Sequence, residues 1–504
     1  MCAWKNHLLS AFLTGALFCI GSAQAQTQPA DAQESAPAVN SPSITVNQAI
    51  DRIIERETYE ISVIRQFNPI IETYIQDLKP EPGMGAVPVR DHYLLGQADP
   101  SKETVDSSML AKSKDKRDPF NPISHLSGFT GSSHAPESFL KLIYTDSKEF
   151  DRQHYQFQFV RREFLGEVRC VVFDLTPLAG SGNGRFKGRI WVEDQKYTIV
   201  RFNGTHTPLA AINGVSFAFD SWRLNVRPDL WLPSDIFSQQ SELKNSLVDH
   251  VRFKSQTRLW GYGLKNSAHD QRMTAEPMVL DHLQRIGLLA PPGEVDKVLE
   301  TVVNNLEVTN NLDIQPEIRC RVLLTGTFES FSIGHTIVLS RGLLDALPDE
   351  ASLATMLAQE LGTIIVARPE TDQSRINVDL ANNKVIELLQ HSPYKDKLHS
   401  AALFLQQLDA QQKVLSRLIG PGLANKTVLA TRLMSLAPNL QAQKPDQMAA
   451  LSVGARIQLD PWSDQLGLLK SKPVALTSSR EKMPFEVAPF IPLLTRHKLP
   501  PPPQ

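Results

Sequence analysis

Residues 353–368 read LATMLAQELGTIIVAR and place Gln359, Glu360 and Thr363 along one turn of a predicted helix. Histidines at the two outer positions would stand at i and i+4, on one face of that helix. Two imidazoles so placed can grip one zinc ion, and the glutamate between them can take a proton from the metal-bound water. The metal lowers the pKa of that water to roughly 7. Here Glu360 holds the general-base position, while Gln359 and Thr363 hold the two ligand positions. Their neutral oxygens are poor zinc donors beside imidazole. The stretch keeps the frame of a hydrolytic site without its metal ligands.

No other histidines offer replacements. The thirteen in the chain form no H-x-H or H-x-x-x-H pair. His391 and His399 stand eight positions apart, as on a solvated helix face. His335 lies on a predicted strand from which it could approach Glu360, but one imidazole does not build a tetrahedral site. There is no G-x-S-x-G, no phosphate loop, and no G-x-G-x-x-G after a strand. The glycines of GSGNG, 180–184, read as a turn between two strands. Glu360 itself has two readings, a residual base or an inherited carboxylate. The helix around it also reads as a core helix, since Leu353, Met356, Leu357, Leu361, Ile364 and Ile365 recur at helical spacing.

The segment SFSIGHTIVLSRGLLDALPDEASLATMLAQELG, within 293–368, resembles the HtpX-like zinc metallopeptidases, gluzincins that include the prenyl-protein endopeptidases. Phe331, Gly334, Gly342, Leu343, Leu344, Asp349 and Glu350 keep that family's order and spacing. The resemblance implies a zincin-like fold, a zinc cofactor and endopeptidase activity. It also implies a third ligand on a following helix, in an E-x-x-A-D motif. The best match here is VDLAN, 378–382, with Val378 at the ligand position and Asn382 at the aspartate position. The alignment leaves no zinc ligand, so no cofactor is expected unless the active-enzyme reading holds.

Around this helix the elements follow from periodicity. Residues 44–79 show helical spacing, interrupted at Pro69, and 80–135 read as loops rich in Gly, Pro, Ser and Asp. From about 140 to 263 the period becomes two. In RFKGRIWVEDQKYTIVRF, Phe186, Ile190 and Val192 share one face and Trp191 takes the other, with a turn at 193–196. Such alternation predicts an antiparallel sheet with one face buried. The sheet resembles the LolA-like lipoprotein carriers, in which a half-barrel wraps a cavity for acyl chains. Trp191, Phe217, Phe219, Trp222 and Trp231 could line such a cavity or fill an ordinary core. After 273 the spacing is helical again, with Val295, Val298, Leu299, Val302 and Leu306 on one stripe.

The expected fold class is therefore α+β and multidomain. An N-terminal helix precedes an antiparallel LolA-like half-barrel sheet, then a mainly helical zincin-like metallopeptidase domain with a small sheet. The expected boundaries are 1–25 for a signal peptide, 26–43 for a disordered linker, 44–135 for a helical and loop region, and 136–270 for the sheet. The peptidase-like domain follows at 271–445, then an extended segment with a proline tail at 446–504.

The leader pairs Lys5 with a short apolar run and Ala23-Gln24-Ala25, a small-residue cleavage pattern. It predicts export, to a bacterial periplasm, with no membrane span after cleavage. Cys170 and Cys320 then remain, as a disulfide or as two buried thiols. A net charge of −2 without a long basic run excludes nucleic acid as the expected partner. Three functions stay open. The first is a non-catalytic binder of envelope polypeptides or lipoproteins. The second is an active zinc metalloendopeptidase with unusual ligands, and the third is a lipid or lipoprotein carrier.

Overall fold

The computed structural model describes residues 45–81, 85–107, 136–207, 215–242, 250–263, 276–366, 378–423, 426–436 and 457–468. The expected signal peptide, the linker and the proline tail lie outside the described residues. Helix α1 (Val46–Ile64) leads into β1 (Ile70–Glu81), β2 (Gly85–Asp99) and β3 (Thr104–Asp106). After α2 (Pro136–Leu140) and a 3-10 turn (Lys141–Ile143) come β4 (Tyr155–Leu165), β5 (Val168–Pro177), β6 (Phe186–Glu193) and β7 (Ile199–His206). β8 (Val215–Arg227), β9 (Leu230–Glu242) and β10 (His250–Trp260) complete this part.

Next come α3 (Glu276–Arg285), α4 (Glu294–Thr309), β11 (Arg319–Leu323), β12 (Ser330–Ile333) and β13 (Thr336–Ser340). Five helices follow, α5 (Arg341–Ala346), α6 (Glu350–Val366), α7 (Val378–Gln390), α8 (Leu398–Gln411) and α9 (Thr427–Leu436). A hairpin of β14 (Ile457–Leu459) and β15 (Leu466–Leu468) is the last described element. No helix among the described residues is long and apolar enough to cross a membrane.

Strands β1 to β10 form one antiparallel sheet in the order β3-β2-β1-β10-β9-β8-β7-β6-β5-β4. This corrects the reading of 44–135 as helix and loops. Helix α1 stops at Ile64, and Ile70–Glu81 and Gly85–Asp99 are paired strands of the sheet. β1 closes onto β10, with Ile70 opposite Trp260 and Thr73 opposite Thr257. The sheet is therefore not confined to 136–270. The described residues from Val46 onward belong to one compact unit, Val46–Gln504.

The physical reason for the mistaken reading lies in how β1 is covered. On one face Ile71 and Ile75 join Ile50, Ile53, Ile61 and Ile64 of α1 over the phenylalanines of the central strands. On the other face Ile70 and Tyr74 join Tyr93, Leu95 and Trp260 against the helical part. Both faces are apolar, so the two-residue alternation disappears. Each isoleucine of α1 adds about 1.5–3 kcal/mol by leaving water.

Polar groups also tie the two parts together. The Trp260 indole donates to Gly287 O at 2.7 Å, and the backbone N–H groups of Arg417 and Leu418 both donate to Asp91 at 2.9 Å. Beyond this seam β11, β13 and β12 make a small sheet in that order, with β12 on its edge. The later region is thus mainly helical with a small sheet, as the sequence indicates.

Candidate functional site

Asp349 starts α6 by accepting from Ser352 N at 2.8 Å, the capping geometry that satisfies an otherwise unpaired helix N–H. From there to Gly362 every residue from Ala351 on is buried. The helix is apolar on nearly all sides, as expected of one running through a core. Glu360 interrupts that pattern. Its carboxylate is only 6% exposed and accepts a hydrogen bond from Ser330 Oγ at 2.6 Å. Ser330 and Ser332 lie two apart on the edge strand β12, so both side chains leave the same face. Ser332 and Gln359 also donate to Glu360, and the Lys426 ammonium, just before α9, faces it.

Burial is the main influence on both charges. It raises the Glu360 carboxyl above the ordinary range, and hydrogen bonds from Ser330 with attraction to Lys426 oppose it. It lowers the Lys426 ammonium, and attraction to Glu360 opposes that. The Glu360 carboxyl is thus held by Ser330 from the strand and attracted by Lys426 from the segment before α9.

The outer positions of the triplet do not fit zinc. The Gln359 carboxamide is 5% exposed and its Oε1 has no hydrogen-bond partner. Thr363 Oγ1 donates back to Gln359 O at 3.0 Å, one turn earlier on the same helix. A divalent ion there would meet neutral oxygens and a neighbouring ammonium. Val378 opens α7, and its side chain lies outside the described residues. Asn382 is buried on α7, while His335 stands in the turn after β12 with its carbonyl bonded to Arg319 N. Among the described residues no three His, Cys, Asp or Glu side chains converge on a point that could hold a metal.

Sequence reading missed Ser330, Ser332 and Lys426. The two serines carried a signal, polar residues two apart in SFSI amid apolar neighbours. Lys426 carried none, because it arrives from a separate helix.

The five aromatics expected around one cavity do not share one. Phe219 packs in the layer beneath α1 with Phe186 and Phe202. Trp191 and Trp231 pack on the opposite face with Cys170, Val172 and Val200. Trp222 is on that face too, where the Arg201 guanidinium sits 4.3 Å from the Trp191 ring centre and 4.4 Å from that of Trp222. Arg201 also makes a two-pronged bond to Asp220, at 2.8 and 2.6 Å. The side chain of Phe217 lies outside the described residues. The reason is the strand's own alternation: neighbours of opposite parity point to opposite faces. Cys170 and Cys320 are free and buried in different clusters, and burial pushes the Cys170 thiol up to about 12.

The layer beneath α1 holds a polar centre instead. Arg223 bonds both oxygens of Glu57 at 2.7 and 2.8 Å, and neither side chain is exposed at all. One helical turn on, Glu60 pairs with Arg56 at 2.5 Å. Burial raises the Glu60 carboxyl to about 7, with Arg223 and Arg56 pulling it down and Glu57 pushing it up. A carboxyl raised on folding binds its proton more tightly in the folded chain. That contribution is complete below the unfolded value of 4.5 and is lost as pH rises through about 7. Glu60→Gln is therefore expected to remove about 3 kcal/mol of the stability lost between pH 5 and pH 8. Urea unfolding of both proteins at the two pH values checks this, and equal pH slopes would refute it.

No protein-family model matches the chain. No curated protein matches it either. One similar solved structure is a crystal structure from Vibrio parahaemolyticus, described as an outer membrane lipoprotein-sorting protein domain. It is 12% identical, covers 42% of this chain and 91% of that chain, and has a TM-score of 0.19. A likeness that slight bears on neither fold nor function here.

Proposed function

We propose that the chain is an exported envelope protein that binds a polypeptide or lipoprotein without hydrolysing it, its peptidase-like helix retained as scaffold. The observation that carries this reading is the sealed carboxylate of Glu360. A general base must reach the proton it removes, directly or through one water. Glu360 instead spends its oxygens on Ser330 and faces Lys426. The Lys426 ammonium acts on Glu360 from nearby, and a dication beside it would be repelled. With Gln359 and Thr363 unfit as donors, metal affinity falls with ligand number and type.

The test is direct. The mature protein, purified without chelator and then offered excess zinc, should hold less than roughly 0.1 zinc per chain. Its melting temperature should not rise, and Glu360→Gln should leave any peptide cleavage at background. Roughly one tight zinc per chain, with cleavage lost in Glu360→Gln, would establish the active metalloendopeptidase instead.

One observation favours a second reading, the lipid or lipoprotein carrier. The layer between α1 and the sheet is apolar over most of its area, with Phe173, Phe186, Phe202, Phe219 and Phe253 under the helix. It is filled by α1 together with Phe139, Leu140, Leu142 and Ile143, so an acyl chain would have to displace them. Lipid released from the purified protein and identified by mass spectrometry would favour this reading over the first.

A further inference from the structure

The turns joining β4 to β5, β6 to β7 and β8 to β9 meet at one end of the large sheet and border a groove of about 500 Å³. Its apolar wall is Phe164, Val168 and Trp231. Phe164 is 65% exposed, an unusual outlay for a phenylalanine on a strand with nothing described above it. The rim is acidic, with Glu167, Glu193, Asp194 and Asp229 against Arg169 and Lys196. Both cations are already engaged, Arg169 with Asp194 at 2.8 Å and Lys196 with Asp229 at 3.6 Å. Glu167 is exposed and has no ion pair among the described residues. An exposed phenylalanine and a half-buried tryptophan beside surplus carboxylates suit a proline-rich segment flanked by basic residues. Such a segment is already extended as a polyproline helix, so docking on aromatics costs it little order.

The chain contains a segment of that chemistry. Residues 487–504 read VAPFIPLLTRHKLPPPPQ, with Arg496, His497 and Lys498 ahead of the prolines 500–503 and no Asp or Glu. It also lies within reach. The hairpin of β14 and β15 is anchored at the same end of the sheet as the groove, because Trp462 stacks on Arg227 at 3.7 Å, and Arg227 neighbours the turn that carries Asp229. Between Leu468 and residue 487 an extended chain can cover about 60 Å. We infer that the groove docks the chain's own residues 487–504, prolines against Phe164 and Trp231 and Arg496 or Lys498 against the acidic rim. The tether gives that segment a high effective concentration, so it outcompetes a free peptide of the same chemistry.

The experiment uses the full chain with Phe164 replaced by the photo-crosslinker p-benzoyl-phenylalanine, a change its exposure should tolerate. Irradiation of the dilute protein, then peptide mass spectrometry, should join position 164 to residues 487–504 within a chain of monomer mass. Arg496→Glu with Lys498→Glu should cut that yield roughly tenfold, as should 1 M salt to a lesser degree. Crosslinks to other segments only, crosslinks that bridge two copies, or a yield indifferent to the charge reversal would each overturn the inference. An unchanged melting temperature of the labelled protein shows that the probe reports on the folded chain.

Discussion

Arg223→Met is expected to cost about 3–5 kcal/mol, because it strands the Glu57 carboxylate without its partner at a position with no exposure to solvent. The guanidinium bonds both Glu57 oxygens and also donates to Ile199 O at 3.2 Å. Arg223 stands four residues after Phe219 on β8, so strand alternation puts both side chains on the face beneath α1. Thr145 Oγ1 supplies a further bond to Glu57 at 2.8 Å. The remaining carboxylate would sit one helical turn from Glu60, and either or both would take up protons. The loss should therefore be larger at pH 8 than at pH 5. Glu57→Leu with Arg223→Met should recover most of it, since a buried ion pair replaced by apolar groups of similar volume is often neutral. Urea midpoints of the wild type, the two single variants and the double variant close the cycle. Additive losses, or a cost for Arg223→Met under roughly 1 kcal/mol, would mean that the pair is solvated and that α1 is held by its isoleucines alone.

How far the sequence spoke depended on whether a feature was local. The frame around α6 was legible because it is written in consecutive residues. Ser340 accepts from Leu343 N at 3.2 Å to cap α5, and Asp349 caps α6. Both caps sit where the order of polar and apolar residues places them. The β6–β7 hairpin was legible for the same reason, with Phe186, Ile190 and Val192 on the buried face and Trp191 opposite. That Gln359 and Thr363 are poor zinc donors could be read from the residue types alone. What fills the space around Glu360 could not, because Ser330 and Lys426 reach it from separate elements.

Two other features stayed hidden for identifiable physical reasons. Ile70, Ile71, Tyr74 and Ile75 mimic helical spacing because β1 is buried on both faces, and only Pro69 hinted that the helix had ended. The aromatic cavity failed on parity. Phe219 and Trp222 are an odd number of residues apart on one strand, so they face opposite ways. That much could have been drawn from the sequence. The Glu57–Arg223 pair could not, since nothing local marks which of the chain's charges will be enclosed.

Gly342→Ala is expected to be nearly as damaging as the loss of Arg223, though it adds a single methyl group. A Cβ at this position would lie 2.0 Å from Gly326 O and 2.7 Å from Thr327 O. Both are backbone atoms and cannot swing aside as a long side chain would. The contact is close because the Gly342 N–H donates to Thr325 O at 3.0 Å, which clamps the start of α5 onto the 325–327 loop. That loop also binds the sheet, through Gly326 N donating to Glu72 at 2.6 Å. Pushing it away would strain the seam between the sheet and the helical part, not α5 alone. Overpacking of this kind costs about 1–3 kcal/mol and sometimes more. The upper end is expected here, because Glu72 is buried and would lose a hydrogen bond. Hydrogen exchange on Gly326 and Leu343, with urea unfolding, provides the check. Faster exchange at both sites with a lower midpoint is the expected result. A midpoint within roughly 0.5 kcal/mol of wild type would show that the loop yields freely, and that the glycine in this frame is tolerant of a side chain after all.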